Sequence, residues 1–271
     1  MKINGRSIKI PQLLFRMFLI KVGRIWYSYL SKLDKNAEVI FLNHGYAEDK
    51  KKLELKKEDE NNRYCIQLYN HIVSSAPIKM EGLDILEVSC GRGGGASYVH
   101  RYFNPNSMTG IDLCKNAIRF CKKHYSIKGM SFFRRDALNL LFKDNSFDIV
   151  INIEASHNYT DMDKFFSEVN RVLKQGGYFL YTDFRSKKLV NLLKEQLNAS
   201  NLKIIKEEII TSNIVKALNL DSERRLGLIK KLTLKFLHKL AKEFAGVKGT
   251  GVYKSFMTGR KEYLNFVLQK R

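Results

Sequence analysis

Leu86–Ser97 reads LEVSCGRGGGAS, an apolar run holding one acid and then four glycines within five residues. Backbone without Cβ can approach a ligand closely and take positive φ, so glycine gathers where a strand turns into a helix against a nucleotide. Gly91, Gly93 and Ala96 satisfy the relaxed G-x-G-x-x-G/A pattern, and Asp112 ends the next apolar run, where a ribose hydroxyl is held in dinucleotide sites. The loop alone would suit NAD. The acids around it point elsewhere. Glu87 lies in the strand before the loop, where a carboxylate opposes a pyrophosphate and suits an ammonium group. Asp136 closes MSFFRRD, placed to accept from an adenine amino group, with the Ala137 amide reaching another ring nitrogen. Three acids at three successive strand ends fit a ligand with an amino acid end, a ribose and an adenine, which is S-adenosylmethionine.

Outward from the loop, strands and helices alternate. LDILEV, SMTGID, MSFFRRD and FDIVINIE read as strands, separated by the helices ASYVHRYF and CKNAIRFCKKHY. DKFFSEVNRVL, the turn KQGG and the strand YFLYTDF follow. Such alternation builds a mostly parallel α/β sheet with helices on both faces and a crevice at the carboxyl strand ends. The pattern then changes to a helix, a strand LKIIKEEIIT and a basic helical block at about 212–247, read as a lid inserted before the last strand, YLNFVLQK. Upstream, Asp49–Glu60 reads as a solvated mixed-charge run and Asn61 as the N-cap of a helix. The chain divides into an N-terminal helical cap, 1–76, and a main domain, 77–271.

The 271 residues carry 48 Lys+Arg against 27 Asp+Glu, a formal net charge of +21. A summed positive field concentrates anionic partners, although abundant Lys, Asn and Ile also fit a composition bias. Four cysteines without a CxxC pair or a histidine cluster read as reduced thiols in the cytoplasm, with no metal site. The opening helix is rich in aromatic and basic residues and has no acid before Asp34. Arg16, Lys21 and Arg24 break its apolar run, which excludes a spanning helix. It has two readings: docking on an anionic membrane through Phe15, Phe18, Trp26 and Tyr27, as a peripheral protein, or packing on the domain.

Together, LDILEVSCGRGGG, GID, RRDA, FDIVINIEASHNY and RVLKQGGYFLYTDF resemble a class I methyltransferase. EVSCGRGGGASY with NIEASHNY, FLNHGYAED and EFAGVKGTGVYKSF looks like the phthiotriol/phenolphthiotriol dimycocerosates methyltransferase family, from about Arg24 to the C-terminus. The resemblance implies a Rossmann-like, seven-stranded, mostly parallel sheet, S-adenosylmethionine as cofactor and O-methylation of a hydroxyl on a lipid-like polyketide. It implies that Glu87 meets the methionine ammonium, that the Gly91 and Gly93 backbone passes beneath the cofactor, and that Asp112 holds both ribose hydroxyls. Leu113 lies against the adenine face, Asp136 and Ala137 read its edge, and Glu154 and Ala155 line the sulfonium side. Tyr46 would form a wall and Arg63 would meet the methionine carboxylate. Ser89 lines the same loop, where the superfamily usually has glycine.

An alcohol acceptor must lose a proton as its oxygen attacks. His157, just past the fourth strand, is the candidate base, the alternatives being substrate orientation or a helix cap. Amide or adenine nitrogen methylation is disfavoured, since NIEASHNY replaces the usual proline-rich segment, and cytosine C5 chemistry lacks a nucleophilic cysteine past Cys121. That leaves nucleic acid supported by net charge alone. Carbon methylation of a lipid or quinone, and a membrane-associated cofactor-binding module without turnover, remain as alternatives.

Overall fold

A computed structural model describes residues 2–3, 6–7, 27–29, 31, 34, 36–49 and 53–271. Most of the segment read as membrane-docking, including Phe15, Phe18 and Trp26, lies outside them.

Seven strands make the sheet: β1 (Asp84–Val88), β2 (Ser107–Asp112), β3 (Met130–Arg134), β4 (Phe147–Ile153), β5 (Leu173–Ser186), β6 (Leu202–Ile209) and β7 (Lys261–Lys270). Their spatial order is β3-β2-β1-β4-β5-β7-β6. Pairing is parallel from β3 through β5, while β7 pairs antiparallel with both β5 and β6. The chain builds outward from β1 to β3, then crosses back to place β4 on the other side of β1. That reversal opens a crevice at the carboxyl ends of β1 and β4.

The central strands are apolar on both faces, as strands covered on both sides must be. Ile85, Ile149 and Ile151 point into one core with Ile66, Leu68 and Ile72 of α1 (Arg63–Val73). Leu86, Val88 and Val150 point into the other, with Phe165, Phe166 and Leu193. The cap helix α1 thus shares a core with the sheet. The other helices on these faces are α2 (Gly94–Phe103), α3 (Lys115–His124), α4 (Met162–Val172) and α5 (Lys187–Asn198). Between β6 and β7 lie α6 (Thr211–Leu220), α7 (Ser222–Leu232) and α8 (His238–Phe244), in the stretch read as a lid, and α9 (Gly251–Met257), which falls beyond its expected end in the glycine-punctuated stretch. Ile229, Ala241 and Val247 form a small core of their own within it.

Three local readings change. KQGG is no separate turn: β5 begins at Leu173, opposite Phe147, and the register shifts before Tyr178 meets Ile149, so the glycines form an irregularity within one strand. Asp49–Glu60 is not wholly solvated, because Lys57–Asn62 forms a 3-10 turn and Asp59 is buried, accepting from Arg101 at 2.7 and 2.8 Å and from Tyr102 at 2.7 Å. The helix therefore starts at Arg63 rather than next to Asn61, and Asn62 makes no side-chain cap.

One glycine of the opening motif has a packing cause. A Cβ on Gly95 would lie 2.0 Å from the Tyr69 ring. Gly95→Ala must push that ring away, which costs about 1–3 kcal/mol by the usual measure of overpacking. We expect the melting temperature to fall by about 2–12 °C, read by thermal denaturation. An unchanged value would mean that α2 and α1 separate freely.

Candidate active site

The strand ends bring most of the sequence-selected residues into one crevice. After β1, Ser89 takes φ 61° and its hydroxyl lies 2.6 Å from the Tyr159 hydroxyl. Asn152 holds the same phenol at 3.0 Å and the Val88 carbonyl at 2.9 Å, tying β1 to β4. Gly91 and Gly93 have φ of 59° and 75°, the left-handed region that glycine enters without strain. The Asp112 carboxylate fixes the loop, accepting from the Gly91 amide at 3.0 Å and the Cys114 amide at 2.7 Å.

Glu87 is buried on the α1 face of β1. Tyr69 donates to its Oε1 at 2.5 Å, while Oε2 has no hydrogen-bond partner among the described residues. Burial raises its pKa to about 8, against the smaller lowering effects of the Tyr69 hydroxyl and the Ala96 amide. A buried, unpartnered carboxylate oxygen beside a glycine loop suits an ammonium ligand. With Asp112 and the bare loop backbone, the residues fit the amino acid and ribose parts of S-adenosylmethionine. At the adenine end, Leu113 is 41% exposed, leaving a free apolar surface. Asp136 is exposed, with Oδ1 accepting from the Leu138 amide at 2.9 Å, and Ala137 is buried behind it.

Two of the residues are engaged elsewhere. The Arg63 guanidinium is taken by Glu60 and by the Leu53 carbonyl, neither of them at the strand ends. Tyr46 stacks on His71 at 4.2 Å, and His71 in turn bonds Glu208 of β6 at 3.0 Å. The member of NHGY that reaches the crevice is His44. Glu154, just past β4 at φ 51°, accepts from the His44 amide at 2.7 Å and bonds its Nδ1. The His44 ring meets Phe184, Phe256 and Tyr263 edge-on, and Gly246, at the end of the lid, approaches so closely that a Cβ there would lie 2.6 Å from it. The guanidinium of Arg225, in α7, bonds the Asn43 and His44 carbonyls at 3.2 and 3.1 Å. Glu154 therefore anchors the upstream segment and the lid to the strand ends, next to Ala155.

His157 follows in a 3-10 turn, Ser156–Asn158. Its Nδ1 lies 2.8 Å from Asp183 Oδ1, and its amide donates to Oδ2 at 2.8 Å. Asp183 is fully buried. Burial alone would raise its pKa, but His157 and Arg185 outweigh it and hold the carboxyl well below the usual range. An ionised Asp183 assigns the Nδ1 proton to their shared bond, so that in the neutral imidazole Nε2 is the acceptor, and Asn158 Nδ2 approaches it at 2.9 Å. The ring stacks on Phe184 at 4.3 Å and stays one-quarter exposed. A ring held by Nδ1, with Nε2 as the acceptor, is what a general base needs.

In the sequence, Asp183 in YTDF reads as one of the residues that could face the acceptor; what the sequence does not show is its pairing with His157, nor the place of Tyr27. Tyr27 was grouped with the membrane-facing aromatics, yet its hydroxyl is buried without a partner among the described residues and lies 3.5 Å from where a Gly91 Cβ would stand. The next residue, Ser28, accepts from Asn116 of α3 at 2.9 Å. Tyr27 thus packs on the glycine loop.

The methyltransferase-domain family matches residues 86–181, which hold the loop, the acids and His157. The phthiotriol/phenolphthiotriol dimycocerosates methyltransferase of Mycobacterium tuberculosis H37Rv is 37% identical over 251 residues, 92% of each chain. A fatty-acid O-methyltransferase of Mycolicibacterium smegmatis is 42% identical over 202 residues, 73% of each. Among solved structures, a cyclopropane synthase of M. tuberculosis aligns with TM-score 0.68 at 14% identity, over 89% of this chain and 95% of that one. A geranyl diphosphate methyltransferase in complex with S-adenosylmethionine aligns with TM-score 0.62 at 14% identity, over 86% and 100%.

Proposed function

Because the chain belongs to the phthiotriol/phenolphthiotriol dimycocerosates methyltransferase family and is an S-adenosylmethionine-dependent methyltransferase, we propose that it O-methylates a hydroxyl on a hydrophobic lipid or polyketide-like acceptor. The observation that supports this reading is the His157–Asp183 pair at the crevice, since a neutral alcohol needs a base.

Bound cofactor supplies an electrophilic methyl on a sulfonium. The protein supplies position. Asp112 and the Gly91–Gly93 backbone hold the ribose end, Glu87 the ammonium, and Leu113, Asp136 and Ala137 the adenine. Holding acceptor and methyl in line in a dry site is worth about 7–11 kcal/mol. His157 Nε2 would take the acceptor proton as the acceptor oxygen gains the methyl and the methyl–sulfur bond breaks, S-adenosylhomocysteine being the leaving group, and would exchange its Asn158 contact for the substrate hydroxyl. Asp183 is a positioning residue that keeps the imidazole in the accepting tautomer.

The test has two stages. Calorimetry should show binding of S-adenosylmethionine and S-adenosylhomocysteine, with NAD as a negative control. A labelled-methyl screen should then transfer label to hydroxylated lipids in preference to lipids that offer only an activated carbon. Label on carbon alone would overturn the assignment to oxygen. The fatty-acid relative favours a second acceptor class, a carboxylate, which needs no base, so free fatty acids belong in the same screen.

Glu87 adds a proton-linked prediction. Its folded pKa, about 8, exceeds the ordinary 4.5. The group's contribution to stability is therefore full below about pH 4.5 and is lost as pH rises to about 8. An ammonium at Oε2 ionises the carboxyl, so binding at pH 7 releases a proton. Affinity for S-adenosylhomocysteine should rise by up to about tenfold per pH unit between pH 6 and 8. Calorimetry in buffers of different ionisation heat reads the proton directly, and Glu87→Gln should abolish the pH dependence. Binding without proton release would place the ammonium elsewhere.

A further inference from the structure

The lid insertion carries a surface that the crevice does not use. From Arg224 to Lys242 the chain holds seven Lys and Arg and no acid. Arg224 and Arg225 pair with Asp221, and Lys231 pairs with Glu38. Lys230, Lys235 and Lys239 are exposed, with no ion pair among the described residues. Within the same stretch, in the connection between α7 and α8, Leu234 is 53% and Phe236 79% exposed, and Phe244 at the end of α8 is 50% exposed. Large apolar side chains this free of the protein, set among unpaired lysines, match the composition of segments that sit at the boundary between lipid headgroups and acyl chains. Each lysine near an anionic leaflet adds attraction that is worth about fivefold in partitioning.

We propose that the α7–α8 corner docks the enzyme on an anionic phospholipid surface, with Leu234 and Phe236 entering the interface and Lys230, Lys235 and Lys239 facing phosphate. Charge selects this occupant. A second copy of the chain would bring two lysine clusters together, whereas anionic headgroups neutralise them, and the acyl boundary takes up the phenyl and isobutyl groups. The proposal rests on the lipid-acceptor reading only for its purpose: α7 also grips the Asn43 and His44 carbonyls through Arg225, so a docked corner adjoins the segment that covers the crevice.

The experiment is co-sedimentation of the full chain with vesicles of phosphatidylcholine alone and with added phosphatidylglycerol. Binding should require the anionic lipid and weaken with salt. Leu234→Ser with Phe236→Ser, both at exposed sites, should lower partitioning about tenfold or more, as should Lys235→Ala with Lys239→Ala. Both double variants should keep wild-type affinity for S-adenosylhomocysteine, which confirms their fold and tests the cofactor reading separately. Equal partitioning on the two vesicle types would overturn the proposal. So would double variants that bind vesicles like the wild type, which would shift docking to the basic N-terminal segment. A dimer in solution that the Leu234 and Phe236 substitutions dissolve, without vesicle binding, would assign the surface to a second copy and also overturn it.

Discussion

His157→Gln lowers turnover of a hydroxyl acceptor by about 10²–10⁴-fold, the usual worth of a positioned base, and leaves the affinity for S-adenosylhomocysteine unchanged. Glutamine can still donate to Asp183 but offers no imidazole to receive the proton. The loss should fall on kcat, because the interaction is made as the proton leaves. A fatty acid tested beside the alcohol makes the result specific: its carboxylate arrives deprotonated, so His157→Gln should slow it by less than about tenfold. Equal loss on both acceptors would make His157 a residue that orients substrate. Asp183 gives a less direct test, because it also neutralises Arg185 at 3.0 Å. Removing it strands a buried guanidinium, a change that costs about 3–5 kcal/mol of stability.

Asp112→Ala weakens cofactor binding by about 10²–10⁴-fold. Two ribose hydroxyls on one carboxylate make two charge-assisted hydrogen bonds, each worth about 1.5–3 kcal/mol. The variant also frees the Gly91 and Cys114 amides that Asp112 now holds, so the loop loses its preset shape. Asp136→Ala is the control. That acid is exposed and makes one such bond in place of two, so its removal should cost at most about 10- to 150-fold. Calorimetry with S-adenosylhomocysteine reads both, and equal losses would mean that Asp112 serves the loop and not the ribose.

The sheet was legible because its strands are continuous apolar runs and its helices are periodic, features that depend only on local order. The strand-end acids were legible for the same reason, since each falls at the close of a run. What escaped were contacts between distant segments. Nothing near His44 announces Glu154, 110 residues away, and nothing in the aromatic N-terminal stretch separates a phenol that packs on Gly91 from one that faces lipid. Tyr46, in NHGY, and Arg63 were assigned by resemblance. Their actual partners, His71 for the one and Glu60 with Leu53 for the other, are set by how the cap lies on α1 and β6.

The single reversed strand divides labour across the sheet. The residues assigned to the cofactor stand at the ends of β1 to β4, whereas the lid leaves and re-enters through β6 and β7, at the opposite edge. An exchange of this one insertion would therefore leave the glycine loop and its acids in place. Arg225 limits the exchange: a transplanted lid must bring its own cation for the Asn43 and His44 carbonyls, or the cover over the crevice loses its latch.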